Sequence, residues 1–125
     1  MILVVDDDPG IVSLLGHALG RHGYRVETAC DGADAYKHLR SPDCKCILLD
    51  INMPRISGVE LLLLMQAEGI HIPTIMMAGL SDFDEAEMKQ FENVVALIQK
   101  PFDLNVVLKV IKTHAQPSGP DRDAP

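Results

Sequence analysis

The sequence is short of positive charge: 11 Lys and Arg stand against 18 Asp and Glu, a formal net charge of −7 over 125 residues. Phosphate backbones and anionic lipid surfaces are gripped by clustered Lys and Arg, so neither direct nucleic-acid binding nor membrane binding is expected. The acid excess suits a chain that holds a cation or meets a basic partner surface. A disulfide framework is also missing, because Cys30, Cys44 and Cys46 are odd in number. A reducing cytoplasm is the simplest setting for such thiols. No apolar run approaches the roughly 18 residues that a membrane span needs. Residues 1–5 run straight into Asp6-Asp7-Asp8 with no basic segment or cleavage site, so no signal peptide is expected. Internal repeats and low-complexity blocks are absent too.

What is present is an ordinary globular mix, 47% hydrophobic and 23% charged, which argues against disorder. The length gives room for one domain with its own core, expected over residues 1–115. Residues 116–125 are rich in Pro, Gly and Asp without periodicity, and read as a flexible tail or the start of a linker to an output domain.

Short apolar runs alternate with amphipathic stretches. Ile2-Leu3-Val4-Val5 is solidly apolar, as strands covered on both faces are. Asp8-Pro9 then reads as a cap and first-turn proline. Ile11, Val12, Leu14, Leu15, Ala18 and Leu19 form a helical stripe closed by Gly23. Residues 24–29 alternate as a second strand, and 31–40 form a short helix. Residues 44–49 make a third apolar run ending at Asp50. Ser57-Gly58-Val59-Glu60 has capping-box spacing, opening a helix to Gly69. Residues 73–78 and 94–98 are the fourth and fifth runs. Ser81 is placed to cap a helix through Phe91, and Asp103 caps a last helix carrying Leu104, Val107, Leu108 and Ile111. The alternation predicts an α/β fold, a doubly wound parallel sheet of five strands with five helices on its two faces.

In such sheets, ligands bind beyond the carboxyl ends of the strands. Three runs deliver charge there: Asp6 and Asp7 from the first, Asp50 from the third and Lys100 from the fifth. Crowded carboxylates resist ionising together. A hard divalent cation resolves the conflict, and Mg²⁺, taking one or two carboxylates, leaves room for a phosphate oxygen. Lys100 supplies a positive charge on the other side of that phosphate. A carboxylate in this setting is a candidate nucleophile for a phosphoryl group.

Asp6-Asp7 after the first strand, Asp50-Ile51-Asn52-Met53-Pro54 with Gly58 following, and Lys100-Pro101 after the fifth strand resemble the receiver domain of bacterial response regulators. The resemblance covers nearly the whole chain. It implies strand order 2-1-3-4-5 in a flavodoxin-like fold, and it makes Asp50 the acceptor of a phosphoryl group from a sensor histidine kinase or phosphotransfer protein. It implies that Asp7, Asp50 and the backbone carbonyl of Asn52 ligate Mg²⁺, and that Asp6 holds a metal-bound water. Lys100 would contact a phosphoryl oxygen, and the Lys100-Pro101 peptide would be cis. The surface change would control an output domain or effector protein. At most slow self-dephosphorylation is expected, not metabolic catalysis.

Two positions depart from the pattern. Ala78 stands where the family carries Thr or Ser, and Leu97 where an aromatic is usual. They motivate an alternative, a phosphorylation-independent interaction module on the same fold. A small Mg²⁺-dependent phosphohydrolase is a further alternative, against which Asn52 stands where a second acid would be needed. The remaining candidates read as structural. Cys44 and Cys46, two apart, are expected on one strand face in the core. Met76, Met77 and residues 61–64 read as core, the five histidines as surface or boundary groups, and the acids of 82–87 as a solvated helix start.

Overall fold

The computed structural model describes residues 1–53, 55–79 and 85–115. Strands β1 (Ile2–Val5), β2 (Val26–Ala29), β3 (Cys46–Asp50), β4 (Thr74–Ala78) and β5 (Val94–Gln99) alternate with helices α1 (Pro9–Arg21), α2 (Gly32–His38), α3 (Gly58–Ala67), α4 (Glu85–Met88) and α5 (Leu104–His114). All the strand pairings are parallel, and the sheet order is β2-β1-β3-β4-β5.

The alternation of the strands divides the core in two. Leu3, Val5, Ile47, Leu49 and Met76 point to one side, where Ala35 of α2 and Leu61, Leu62 and Met65 of α3 meet them. Ile2, Val4, Cys46, Leu48, Ile75 and Met77 point to the other, against Leu15 and Leu19 of α1 and Val107 and Ile111 of α5. This is why β1, β3 as far as Leu49 and β4 beyond Thr74 are apolar runs: both faces are covered. Each such side chain contributes about 1.5–3 kcal/mol by its burial.

The helix starts follow from local chemistry. Asp8 accepts from the N–H groups of Gly10 and Ile11 and caps α1, with Pro9 in its first turn. Ser57 and Glu60 form a reciprocal capping box on α3. Asp31 caps α2 and Asp103 caps α5.

Several expectations are corrected. Cys44 and Cys46 do not share a strand face: β3 begins only at Cys46, so the two-residue period does not reach back to Cys44, and the thiols enter opposite halves of the core. Leu63 is not core; it is 51% exposed, because four consecutive leucines cannot all fit one helical stripe. Strand β2 starts at Val26 rather than residue 24, and Tyr24 is instead buried on the α5 side, its hydroxyl donating to the Ala115 carbonyl. Helix α4 ends at Met88, short of the buried Phe91. The Ser81 cap, Pro54 and the tail at 116–125 lie outside the described residues. Strand β5 carries a bulge: Thr74 pairs with Val94 but Ile75 with Ala96. Val95 is thereby set out of register, and Val94 and Leu97, three apart, face the same half of the core.

Candidate functional site

Strand register builds the site. Val5 pairs with Leu49, so the next residues, Asp6 and Asp50, leave adjacent strands at the same level. Asp7 follows at the mouth and is exposed, while Asp6 and Asp50 are buried. One carboxylate oxygen from each of Asp6, Asp7 and Asp50 lies within 4.8 Å of the others. Lys100 arrives from β5, two strands away from β3. Its backbone N–H donates to the Ala78 carbonyl at 2.8 Å, which seats it at the end of β4. From there Nζ donates to Asp6 Oδ2 at 2.7 Å and pairs with Asp50 Oδ1 at 3.1 Å. The Lys100-Pro101 peptide is cis.

Asp6 is engaged on both oxygens: Oδ1 accepts the Asp8 N–H at 2.9 Å and Oδ2 accepts from Lys100. The buried Asp6 carboxylate thus holds both the Lys100 ammonium and the backbone at Asp8. Burial pushes the Asp50 carboxyl above the usual carboxylate range; the Asp6 charge adds to this, and Lys100 opposes it. Burial alone would lower the Lys100 ammonium, but hydrogen bonds and charge from Asp6 and Asp50 outweigh it and hold the group above its usual value. The pocket thus keeps a fixed cation beside an acid whose charge is poorly solvated. Carboxylates gathered in this way suit a hard divalent cation, held by Asp7 and Asp50 in front of Asp6, which would remove the remaining repulsion.

The structure brings Asp6, Asp7, Asp50 and Lys100 together. Asn52 lies two residues past Asp50, exposed on the loop between β3 and α3. The same loop is packed closely against its surroundings. A Cβ on Gly58 would come within 2.6 Å of the Asp50 carbonyl, and one on Gly32 within 2.4 Å of the Ile56 carbonyl. Beside the acids a groove of about 570 Å³, lined by Pro9, Val12, Ser13, Thr28 and Cys30, opens between α1 and β2.

Sequence reasoning missed Asp31 and Arg55, whose side chains pair at 2.6 Å across this loop. No short motif signals a pair 24 residues apart; Arg55 offered only its place between Pro54 and Gly58.

Comparison with known proteins finds similar sequences and a similar fold. Residues 2–112 match the family described as the response regulator receiver domain. The chain is 32% identical over 124 residues to the sensor histidine kinase RcsC of Escherichia coli K12, covering 99% of this chain and 13% of that protein. It is 30% identical over 132 residues to the alkaline phosphatase synthesis transcriptional regulatory protein PhoP of Bacillus subtilis, covering 98% of this chain and 52% of PhoP. It therefore spans about half or less of these relatives. The structure superposes on the response regulator TrrA of Thermotoga maritima, solved in complex with Mg²⁺-BeF, with TM-score 0.79, 29% identity and coverage of 91% and 97%.

Proposed function

The chain belongs to the response regulator receiver domain family, whose members are regulatory domains rather than metabolic enzymes, and from that premise we propose that it is a phosphoacceptor switch with Asp50 as the acceptor. The observation that carries this is the single lysine bridging two buried aspartates from different strands, Lys100 to Asp6 and Asp50.

In the proposed reaction an Asp50 oxygen attacks the phosphorus of a phosphohistidine on a sensor histidine kinase or phosphotransfer protein. The P–N bond breaks, the imidazole leaves with that electron pair, and an acyl phosphate remains on Asp50. Mg²⁺ held by Asp7, Asp50 and the Asn52 carbonyl, with Asp6 acting at one remove, would supply the charge neutralisation that lets phosphoryl oxygens enter a nest of carboxylates. Lys100, already seated by the Ala78 carbonyl, transfers one of its hydrogen bonds from Asp50 to a phosphoryl oxygen. Added charge beside Lys100 then biases the neighbouring loops between two surface states. An output domain or effector protein reads that bias, as the names of the longer relatives suggest.

The test is intact mass after acetyl phosphate treatment. One phosphoryl group is expected with Mg²⁺, none after chelation and none in Asp50→Asn. Equal labelling of Asp50→Asn would overturn the assignment.

A second reading is favoured by two positions. Ala78 is buried at the end of β4 and offers a methyl group where a hydroxyl would grip the phosphoryl group, and Leu97 is partly buried against the core. The domain would then bind its partner regardless of phosphorylation. Beryllofluoride with Mg²⁺ separates the two readings: amide shifts spreading to β5 and α5 support the switch, and shifts confined to the pocket support the second reading.

A further inference from the structure

We propose that Arg55 is a positioning residue for the divalent cation: its ion pair with Asp31 clamps the loop that carries Asn52 and so sets the metal affinity of the acidic pocket. The proposal rests on the reading of the pocket given above.

The loop between β3 and α3 is closed at its root, where the Gly58 N–H donates to the Ile51 carbonyl at 3.0 Å. Further out, Arg55 has φ +67°, the left-handed region that L side chains avoid and glycine occupies freely. A non-glycine residue stays there when its surroundings over-determine it. Here the surroundings are explicit. The Arg55 guanidinium donates to Asp31 Oδ2 at 2.6 Å. Asp31 cannot follow a moving partner, because its side chain is buried and its Oδ1 accepts the Asp34 N–H at 2.8 Å as the cap of α2. One residue on, Gly32 lies against Ile56 so closely that no side chain fits between them. The loop is thus held at its root by its own backbone and further out by the start of α2. Asn52 sits on the stretch between the root and Arg55, directly after the acceptor strand.

The arrangement is poorly explained as a stability device. The Arg55 side chain is 72% exposed although that of Asp31 is 5% exposed, so solvent screens the pair from the arginine side, and Asp31 keeps its bond from the Asp34 N–H without it. What the pair does fix is the path of a short loop on which one metal-facing carbonyl is expected.

Two substitutions separate the parts. Arg55→Gly suits the backbone conformation and deletes the pair. Asp31→Asn keeps an oxygen to cap α2 and deletes the charge. Affinity is read directly with Mn²⁺ by water-proton relaxation, and thermal unfolding is followed without metal. Each variant is expected to bind Mn²⁺ about tenfold more weakly, the lower end of what losing an outer-shell partner costs. The double variant is expected to be no weaker than either single one, and Arg55→Gly to keep its melting temperature. Unchanged Mn²⁺ affinity in Arg55→Gly, or effects of the two changes that add, would overturn the proposal. A wild-type chain that takes up no Mn²⁺ would instead overturn the reading of the pocket itself.

Discussion

Asp6 has no exposed side-chain surface, and its charge is balanced by one ammonium group, that of Lys100. Removing the lysine leaves a buried carboxylate without its counter-charge. Breaking a buried pair this way costs about 3–5 kcal/mol; with Lys100 24% exposed, Lys100→Ala is expected to lose about 2–3 kcal/mol by chemical denaturation. Mg²⁺ should recover part of that loss, since a cation at Asp7 and Asp50 also screens Asp6. Asp50 behaves in the opposite sense. Its folded pKa lies above the ordinary 3.8, so folding disfavours its charged form. Below pH 3.8 the carboxyl is protonated folded and unfolded, and no cost arises; as pH rises through the folded pKa the cost grows to its full value. An ordinary substitution destabilises by about 1 kcal/mol, yet Asp50→Asn is expected to stabilise the metal-free protein at neutral pH. The gain should shrink as the pH is lowered toward 4 and disappear with Mg²⁺ present, both checked by thermal unfolding.

At the scale of elements, the sequence was legible where one local rule sufficed. Apolar runs covered on both sides announced β1, β3 and β4, and Asp8-Pro9 and Ser57–Glu60 marked the starts of α1 and α3 by capping alone. The acids and the lysine could be gathered from sequence because parallel strands place their carboxyl ends on one edge. Features set by tertiary contact stayed hidden. The β5 bulge reverses which residues face which half of the core, and an alternation pattern cannot show an inserted residue. Cys44 and Cys46 part because the chain before β3 is not strand. The Asp31–Arg55 pair depends on two loops meeting, and neither loop specifies the other. The close packing of the β3–α3 loop gives a test at this scale. Gly58→Ala would press a methyl group onto the Asp50 carbonyl and should cost about 1–3 kcal/mol as overpacking does. It should also weaken Mg²⁺ uptake, measured by calorimetry, because the displaced backbone is that of the acceptor itself.

Across the whole molecule, the core and the site are separable in their chemistry. Burial pushes the Cys46 thiol up to about 12 and raises that of Cys44, while Cys30 is exposed beside the acidic groove. Thiolate is the reactive form, so a thiol reagent at neutral pH should modify one cysteine of the three in the native protein and all of them after denaturation. Rapid modification of two or more in the native state would contradict the burial of Cys44 and Cys46. Among the described residues no helix is long and apolar enough to cross a membrane, and the relatives are longer chains in which this domain is one part. The account as a whole turns on where a phosphoryl group lands. Borohydride reduces an aspartyl phosphate to homoserine, so peptide mapping after acetyl phosphate, Mg²⁺ and borohydride reads the acceptor residue directly. The account predicts homoserine at position 50 alone, dependent on Mg²⁺; conversion at another aspartate, or at position 50 without any divalent cation, would contradict it.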